Sequence, residues 1–519
     1  MDVIKRFDVV VIGAGGAGLC AAVAAKQQGA KVVVITKTRS GLGTCTAYAG
    51  GGFTLACGSM TVAEHSRLTQ KVGRGINDPS LVNVLSSEGE AALRELAALG
   101  ITIRIGDNGH ASVYASAPTG IMGGAGLTRE LTALARQLGV EFLEYTVATR
   151  LQVDDSGVHG VECTNWQSGQ GFTVGAGAVI LATGGAGHIY ERTDNPARVT
   201  GDGYALALRA GLPLVDMEFV QFYPLGWDEP KFPKWMIGLP TIDRVRLTDA
   251  AGREFLKEEL DRLGLANGVE ANLFGRDVSA RLVGQKSLEG GAYLHFQELP
   301  PEAWGERAFS EARRFYPEGV KPWDYGPIQV SPIQHYFTGG VVIDSLGRTS
   351  VEGLLACGEV TGGVDGASRI GGNALTNIIT FGLRAGRAAA DCVRARSTVA
   401  SAGKLVSGQY DPASVRAELK AIVQAGLGPV RTGEGIGHAV AQLEDLQPKV
   451  ASLSMDTPMK RLLALEMPGM WQSARAVAAA ALERQESRGV HYRTDYPTEL
   501  DSWQRNIEVR LKDGKLTTE

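Results

Sequence analysis

Apolar and polar positions alternate between two periods along the chain. The opening stretch FDVVVIGAGGAGLCAAVAAKQQGAKVVVITKT has an apolar run at Asp8–Ile12, a glycine cluster, an apolar segment of helical length and a second apolar run at Val32–Ile35. That order predicts strand, tight turn, helix and strand. Residues 79–100 and 125–139 place apolar residues at helical spacing, and each stretch stops at a glycine. From Phe142 the pattern becomes short alternating runs broken by Asp-Ser-Gly and Ser-Gly-Gln-Gly turns, which predicts antiparallel strands leading into a buried strand at Ala178–Ala182. Between Phe222 and Ser331 periodicity weakens, Pro, Trp and Arg become frequent, and only short helices near 253–263 and 305–315 are predicted. This reads as an inserted domain. Strands at Val341–Ile343 and Leu354–Cys357 and a long helix from Asn373 follow. Residues 401–519 are mostly helical, with an amphipathic helix at 471–486, and end in a polar tail. No repeat at a fixed 20–50-residue period is visible.

A chain of 519 residues exceeds what one core serves, so two or three domains are expected. With 44% hydrophobic and 21% charged residues, a net charge of -4 and no long basic run, the chain is not built for nucleic acid or an anionic membrane surface. The six cysteines include no C-x-x-C pair. No metal site is predicted in the chain, and a reducing cytoplasmic location is expected. The chain runs from Met1 straight into the first strand, so no signal peptide is expected, and no apolar run reaches the roughly 18 residues of a membrane span.

The chemistry concentrates in glycine-rich turns. Gly13, Gly15 and Gly18 fill G-x-G-x-x-G between a strand and a helix. That pattern gives a tight turn, close backbone approach to a pyrophosphate, and close helix–strand packing. The second strand ends in Thr36-Lys37, where a ribose-binding acid is usual. The bend Ala49–Gly52, which includes Gly51, lets backbone approach a ring system. The strand ending Ala182-Thr183-Gly184-Gly185 supplies the second half of a two-part cradle. Asp202, in Thr200-Gly201-Asp202-Gly203, reads either as a helix cap or as a cofactor contact.

The ordered segments VIGAGGAGL, ILATGGAG, TGDGYALALRAG, FVQFYP, GRDVSARL, HYFTGGVVID, GRTSVEGLLACGEVTGG, RIGGNAL and ESRGVHYRTDYP together resemble the succinate dehydrogenase, fumarate reductase and aspartate oxidase flavoprotein family. The resemblance implies an α/β fold: a Rossmann-like FAD-binding domain made of discontinuous segments, an inserted α+β capping domain and a C-terminal helical domain. The expected boundaries are 1–222 and 332–400 for the FAD-binding domain, 223–331 for the cap, and 401–519 for the helical domain. It also accounts for Thr36-Lys37, since Ser or Thr followed by Lys is common there. The implied cofactor set is Gly13, Gly15, Gly18, Lys37, Gly51, Ala182, Thr183, Asp202, Glu359, Asn373, Ala374 and Leu375. The implied catalytic set is Arg276 for proton transfer and His335 and Arg369 as a carboxylate clamp, where Arg suits because its planar fork binds carboxylate oxygens in pairs.

Four departures shape the functional expectation. Thr44-Cys45-Thr46 replaces the S-H-T of covalent flavin enzymes, so FAD is expected to bind non-covalently. Tyr223 stands where the family has a His, and can donate a hydrogen bond without being a cation. Residues 236–248, MIGLPTIDRVRLT, lack the T-E-x-x-R-G-E-G proton relay, leaving either a relay rebuilt from Asp243 and a neighbouring arginine or its loss. Asp365 introduces an anion beside the clamp. The expected activity is hydride exchange between flavin N5 and a C–C bond adjacent to a carboxylate or carbonyl, with electrons passing to an iron–sulfur partner, through which the chain could associate with a membrane. The alternatives are an aspartate-oxidase-like amino-acid oxidase and an electron-transfer flavin subunit with a vestigial pocket.

Overall fold

The computed structural model describes residues 3–113, 123–306, 309, 312–392, 403 and 405–519. Its centre is a seven-stranded sheet. Strand β1 (Val3–Ile12), helix α1 (Gly16–Gln27) and strand β2 (Val32–Ile35) form the opening unit the glycine pattern predicts. Their apolar faces are buried, with Val9, Val10, Val11 and Val32–Val34 at 0–1% exposure. β1 lies parallel to β2 on one side and to the strand Gly171–Leu181 on the other, with Ile12 paired to Leu181.

Gly171–Leu181 has two different neighbours along one edge. Its first half pairs antiparallel with Gly157–Asn165, and its last residues pair parallel with Leu354–Ala356. A segment more than 170 residues away thus completes the parallel core. The strand is buried from Phe172 on, and Ala178–Leu181 is 0% exposed because sheet and helix cover both faces. The helix Asn373–Asp391 packs on α1 through close backbone contacts, where a Cβ at Gly386 would meet the Ala21 carbonyl at 2.2 Å.

A separate apolar cluster forms the inserted region. The sheet of Val220–Trp227, Ile328–Phe337, Ala292–Leu294 and Leu247–Asp249 is covered by helices including Gly268–Phe274 and Arg276–Leu288. Its core is aromatic, with Trp227 stacked on Phe232 at 4.9 Å and on Phe296 at 5.7 Å. The observed helix Leu256–Arg262 falls within the predicted 253–263. The predicted helix at 305–315 falls partly outside the described residues.

The C-terminal region is helical, with its longest helix at Pro458–Glu483, of which the amphipathic stretch 471–486 supplies the second half. The polar tail differs from expectation. Glu508–Lys512 and Lys515–Thr518 form a hairpin, and Glu508–Lys512 also pairs with Leu214–Val215. Asp513 and Gly514 both have positive φ, 50° and 77°, as the Asp-Gly hairpin turn requires. Ile507 and Val509 are fully buried there, so a strand with few apolar residues is fixed by tertiary pairing. No described helix is long and apolar enough to cross a membrane. All six cysteines are free thiols.

The Ile507 carbonyl accepts from the Asp216 amide at 2.9 Å, and the Ile507 amide donates to Asp216 Oδ1 at 3.3 Å across this junction. Ile507→Ala is expected to destabilise the fold by about 2–5 kcal/mol through the cavity it leaves, read as a lowered thermal midpoint.

Candidate active site

The carboxyl ends of β1 and Gly171–Leu181 open into one cavity of about 800 Å³, toward the upper part of the roughly 300–1,000 Å³ range of small-molecule sites. At its floor the two turns nearly touch. Gly13 has φ +114°, and a Cβ there would lie 2.2 Å from the Ala182 carbonyl oxygen. Gly18 does not line the cavity. It lies one layer below, where a Cβ would stand 2.0 Å from the Gly13 carbonyl, so it allows α1 to pack under the turn. The first turn of α1 therefore faces the cavity, and its partly positive N-terminus suits phosphate oxygens.

Lys37, Gly51, Ala182, Thr183, Asp202, Glu359, Ala374 and Leu375 all line this cavity. Lys37 Nζ lies 2.7 Å from Asp202 Oδ2 and donates to Glu466 Oε1 at 3.0 Å. Asp202 is the first residue of its helix, and its side chain pairs with Lys37 and accepts from Thr200 instead of capping that helix. Glu466, fully buried on the long C-terminal helix, also pairs with Arg198 at 3.0 Å and Arg416 at 2.9 Å. One carboxylate from the C-terminal region thereby fixes two cations, Lys37 and Arg198, that line the cavity. Asn373 is fully buried behind the wall, bonded to His65 at 3.0 Å and Thr69 at 3.2 Å. Its helix, capped by Gly372 at φ 92°, still begins at the cavity through Ala374 and Leu375.

At the other end the cap and the sheet domain meet. Tyr223 and His335 project from neighbouring antiparallel strands with ring centroids 5.5 Å apart, and the Arg276 guanidinium lies 5.1 Å from the Tyr223 ring centroid. Arg276 donates from Nε to the Asn272 carbonyl at 2.6 Å and from Nη2 to Asn272 Oδ1 at 3.1 Å. The Tyr223 hydroxyl donates to the same Oδ1 and accepts from the Leu239 amide, both at 2.8 Å. His335 Nδ1 is 2.8 Å from Asp194 Oδ2. Arg369 donates to Gln221 Oε1 at 3.0 Å and lies 4.0 Å from the Tyr336 ring centroid. Burial pushes the Arg276 guanidinium down to about 10, Tyr223 opposing the shift and Arg369 reinforcing it. Burial also lowers His335, with Asp194 pulling the other way.

The altered loop does not rebuild a relay around Asp243. Asp243 accepts from the Gly268 amide at 2.7 Å, while Arg244 and Arg246 pair with Glu306 and Glu298 on the cap exterior. Asp365 does not line the cavity. It is buried behind it, pushed up to about 6 by burial against the pull of Arg369 and a hydrogen bond from Tyr336. Sequence reasoning missed Asp194, Arg198, Asn272 and Glu466. The first two sit in Thr193–Arg198, immediately before the Thr200–Gly203 motif, a proximity that could have drawn attention to them. Glu466 has no local signal.

Residues 8–375 match the FAD binding domain family and residues 416–517 the fumarate reductase flavoprotein C-terminal family. The chain belongs to the fumarate reductase and succinate dehydrogenase flavoproteins. It is 32% identical over 544 residues to one subunit of the fumarate reductase (CoM/CoB) of Methanothermobacter marburgensis, covering 97% of each sequence. It is 32% identical over 542 residues to L-aspartate oxidase of Streptomyces coelicolor, covering 97% of this chain and 91% of that one. The solved structure of Mycobacterium smegmatis Sdh1 in complex with UQ1 superposes with a TM-score of 0.85 at 28% identity, over 99% of this chain and 94% of that one.

This flavoprotein is an FAD-dependent oxidoreductase, and the cavity fits that cofactor. A glycine turn closed against a second strand end, cations fixed at one end and a second helix start at the other suit an elongated dinucleotide. Glu359, buried in the cavity wall, is pushed up to about 7 by burial, although the Phe337 and Gly185 amides bond to it and Arg369 attracts it. A carboxyl raised in the folded state from its usual 4.5 to about 7 gives stability that is complete below pH 4.5 and lost as pH rises to about 7. Apoprotein melts should show this fall, worth about 3 kcal/mol, and Glu359→Gln should flatten it.

Proposed function

We propose that this flavoprotein is the catalytic component of an oxidoreductase that adds or removes two hydrogens across a C–C bond next to a carboxylate. The observation that carries the reading is the convergence of Arg276, Arg369 and His335 on the cavity that the glycine turns open. Bound FAD supplies the hydride exchange, at N5, with one carbon of that bond. Gly13, Gly15, Lys37, Ala182, Thr183, Asp202 and Glu359 would hold the cofactor's dinucleotide part and Gly51, Ala374 and Leu375 its ring end, with Gly18 and Asn373 supporting the wall from behind.

Arg369 and His335 fix the carboxylate. The guanidinium offers paired donors, and Asp194 behind His335 favours the imidazolium that a bound carboxylate would face. Arg276 gives a proton to the carbon next to the one that receives hydride, and takes it back in the oxidative direction. Burial makes it a stronger acid than an exposed arginine while leaving it charged at neutral pH. Tyr223 and Asn272 hold its side chain at that position. We assign the electron exit to an iron–sulfur partner protein. Supporting this, the Methanothermobacter relative is itself one subunit of its enzyme.

The flavin is held non-covalently. Cys45 lines the cavity, with Sγ 3.4 Å from Asn195 Oδ1. Burial, with Glu359 and Asp194 adding repulsion, pushes its thiol well above the usual range, leaving little thiolate to act as a nucleophile. Acid precipitation of the holoprotein should leave yellow flavin in the supernatant, and flavin in the pellet would refute this. Arg276→Ala should retain the flavin spectrum while turnover falls about 10²–10⁴-fold. In the unmodified enzyme, enoate reduction should decline above pH of about 10 as Arg276 loses its proton. Unchanged turnover in the variant would remove Arg276 from the mechanism.

A further inference from the structure

The charge in the cavity is unevenly distributed. Lys37, Arg104, Arg198, Arg276 and Arg369 are the described Lys and Arg residues that line it. Lys37 and Arg198 are committed to Asp202 and Glu466. Arg104 lies on a short strand and is exposed, where water screens it. Only Arg276 and Arg369 remain as buried cations at the end where His335 stands. Asp194, 2.8 Å from His335, balances the imidazolium charge there. With Arg276 kept for proton transfer, Arg369 is the cation left to balance one carboxylate.

Beyond Arg276, the described cap residues bring no second cation to the cavity. Arg244 and Arg246 follow Trp235–Leu239 in the cap, but both turn outward to Glu306 and Glu298. Beyond Arg276, the described cap residues that line the cavity are Trp235, Met236, Leu273, Tyr223 and Asn272. Trp235 is packed 5.9 Å from Tyr48, which reaches across from the sheet domain. The Tyr223 hydroxyl already donates once and accepts once. A carboxylate against this wall would lose its hydration without gaining a charged partner, which is strongly unfavourable. An apolar group there would instead cover Trp235 and Met236, removing hydrophobic surface from water.

We propose that the substrate is a monocarboxylate, a 2-enoate or its saturated counterpart, whose far substituent is uncharged and apolar and packs against Trp235 and Met236. This rests on the proposed C–C redox reaction and adds what the substrate carries beyond the reacting bond. Trp235 and Met236 are then specificity-determining residues, and the Arg369–His335–Arg276 end takes the single carboxylate.

The test uses the FAD-loaded chain. Cinnamate, crotonate and fumarate are titrated against the flavin absorbance spectrum, and each is assayed as oxidant of reduced methyl viologen. Cinnamate and crotonate should perturb the spectrum at concentrations at least tenfold below fumarate and be turned over in preference to it. Met236→Arg places a cation on the apolar wall, and should tighten fumarate at least tenfold while weakening cinnamate. Fumarate binding as tightly as cinnamate, no spectral response to either monocarboxylate, or an unchanged preference in a flavin-replete Met236→Arg protein would overturn the proposal. Selective binding of monocarboxylates without turnover of any enoate would support this assignment of the pocket and overturn only the proposed reaction.

Discussion

The structure depends on a steric constraint between two pieces of backbone. Ile12 pairs with Leu181, so the chain leaves both strands at the same level, and Gly13 must pass beside the Ala182 carbonyl with no room for a Cβ. Gly18 then lets α1 close underneath. With these contacts the helix N-terminus, both strand ends and the start of the helix after Gly372 open on one cavity. A side chain at either glycine would separate the two halves, and the cations and carboxylates along the wall would no longer share a ligand.

Around that contact, charged side chains are held by opposite charges that arrive from far along the chain. Glu466 reaches from the C-terminal helix to fix Lys37 and Arg198. Asp194 stands behind His335, and Gln221 holds Arg369. Buried charges persist only when paired or hydrogen-bonded, so each partner sets where the cavity's remaining donors point. At the cap the same rule acts in reverse. Arg244 and Arg246 find Glu306 and Glu298 on the surface, so neither brings charge to the cavity.

Arg276 shows how position sets chemistry. It begins the helix Arg276–Leu288, close to Arg369, and is almost fully buried. Burial first, and Arg369 with it, weaken its hold on its proton, Tyr223 and Asp194 restoring only part of it, while Asn272 and Tyr223 fix the side chain. A buried guanidinium with no carboxylate hydrogen-bonded to it suits a proton donor. A carboxylate in the same place would hold the proton more firmly.

The sequence by itself determined the opening strand–turn–helix–strand unit, the amphipathic helices and the cofactor class, because each follows from local periodicity or from glycines whose spacing allows one backbone path. It also singled out Arg276, His335 and Arg369 through motif resemblance. Tertiary structure decided the rest. It set the junction of Leu354–Ala356 with Gly171–Leu181 and turned the polar tail into a hairpin, since strand pairing depends on an edge supplied elsewhere in the chain. It placed Asp365 behind the site and Arg244 and Arg246 outside it. Glu466, Asp194 and Asn272 gained their positions the same way: a charge or hydrogen-bonding group acquires meaning only from its partner, and Lys37, His335 and Tyr223 lie 429, 141 and 49 residues from them.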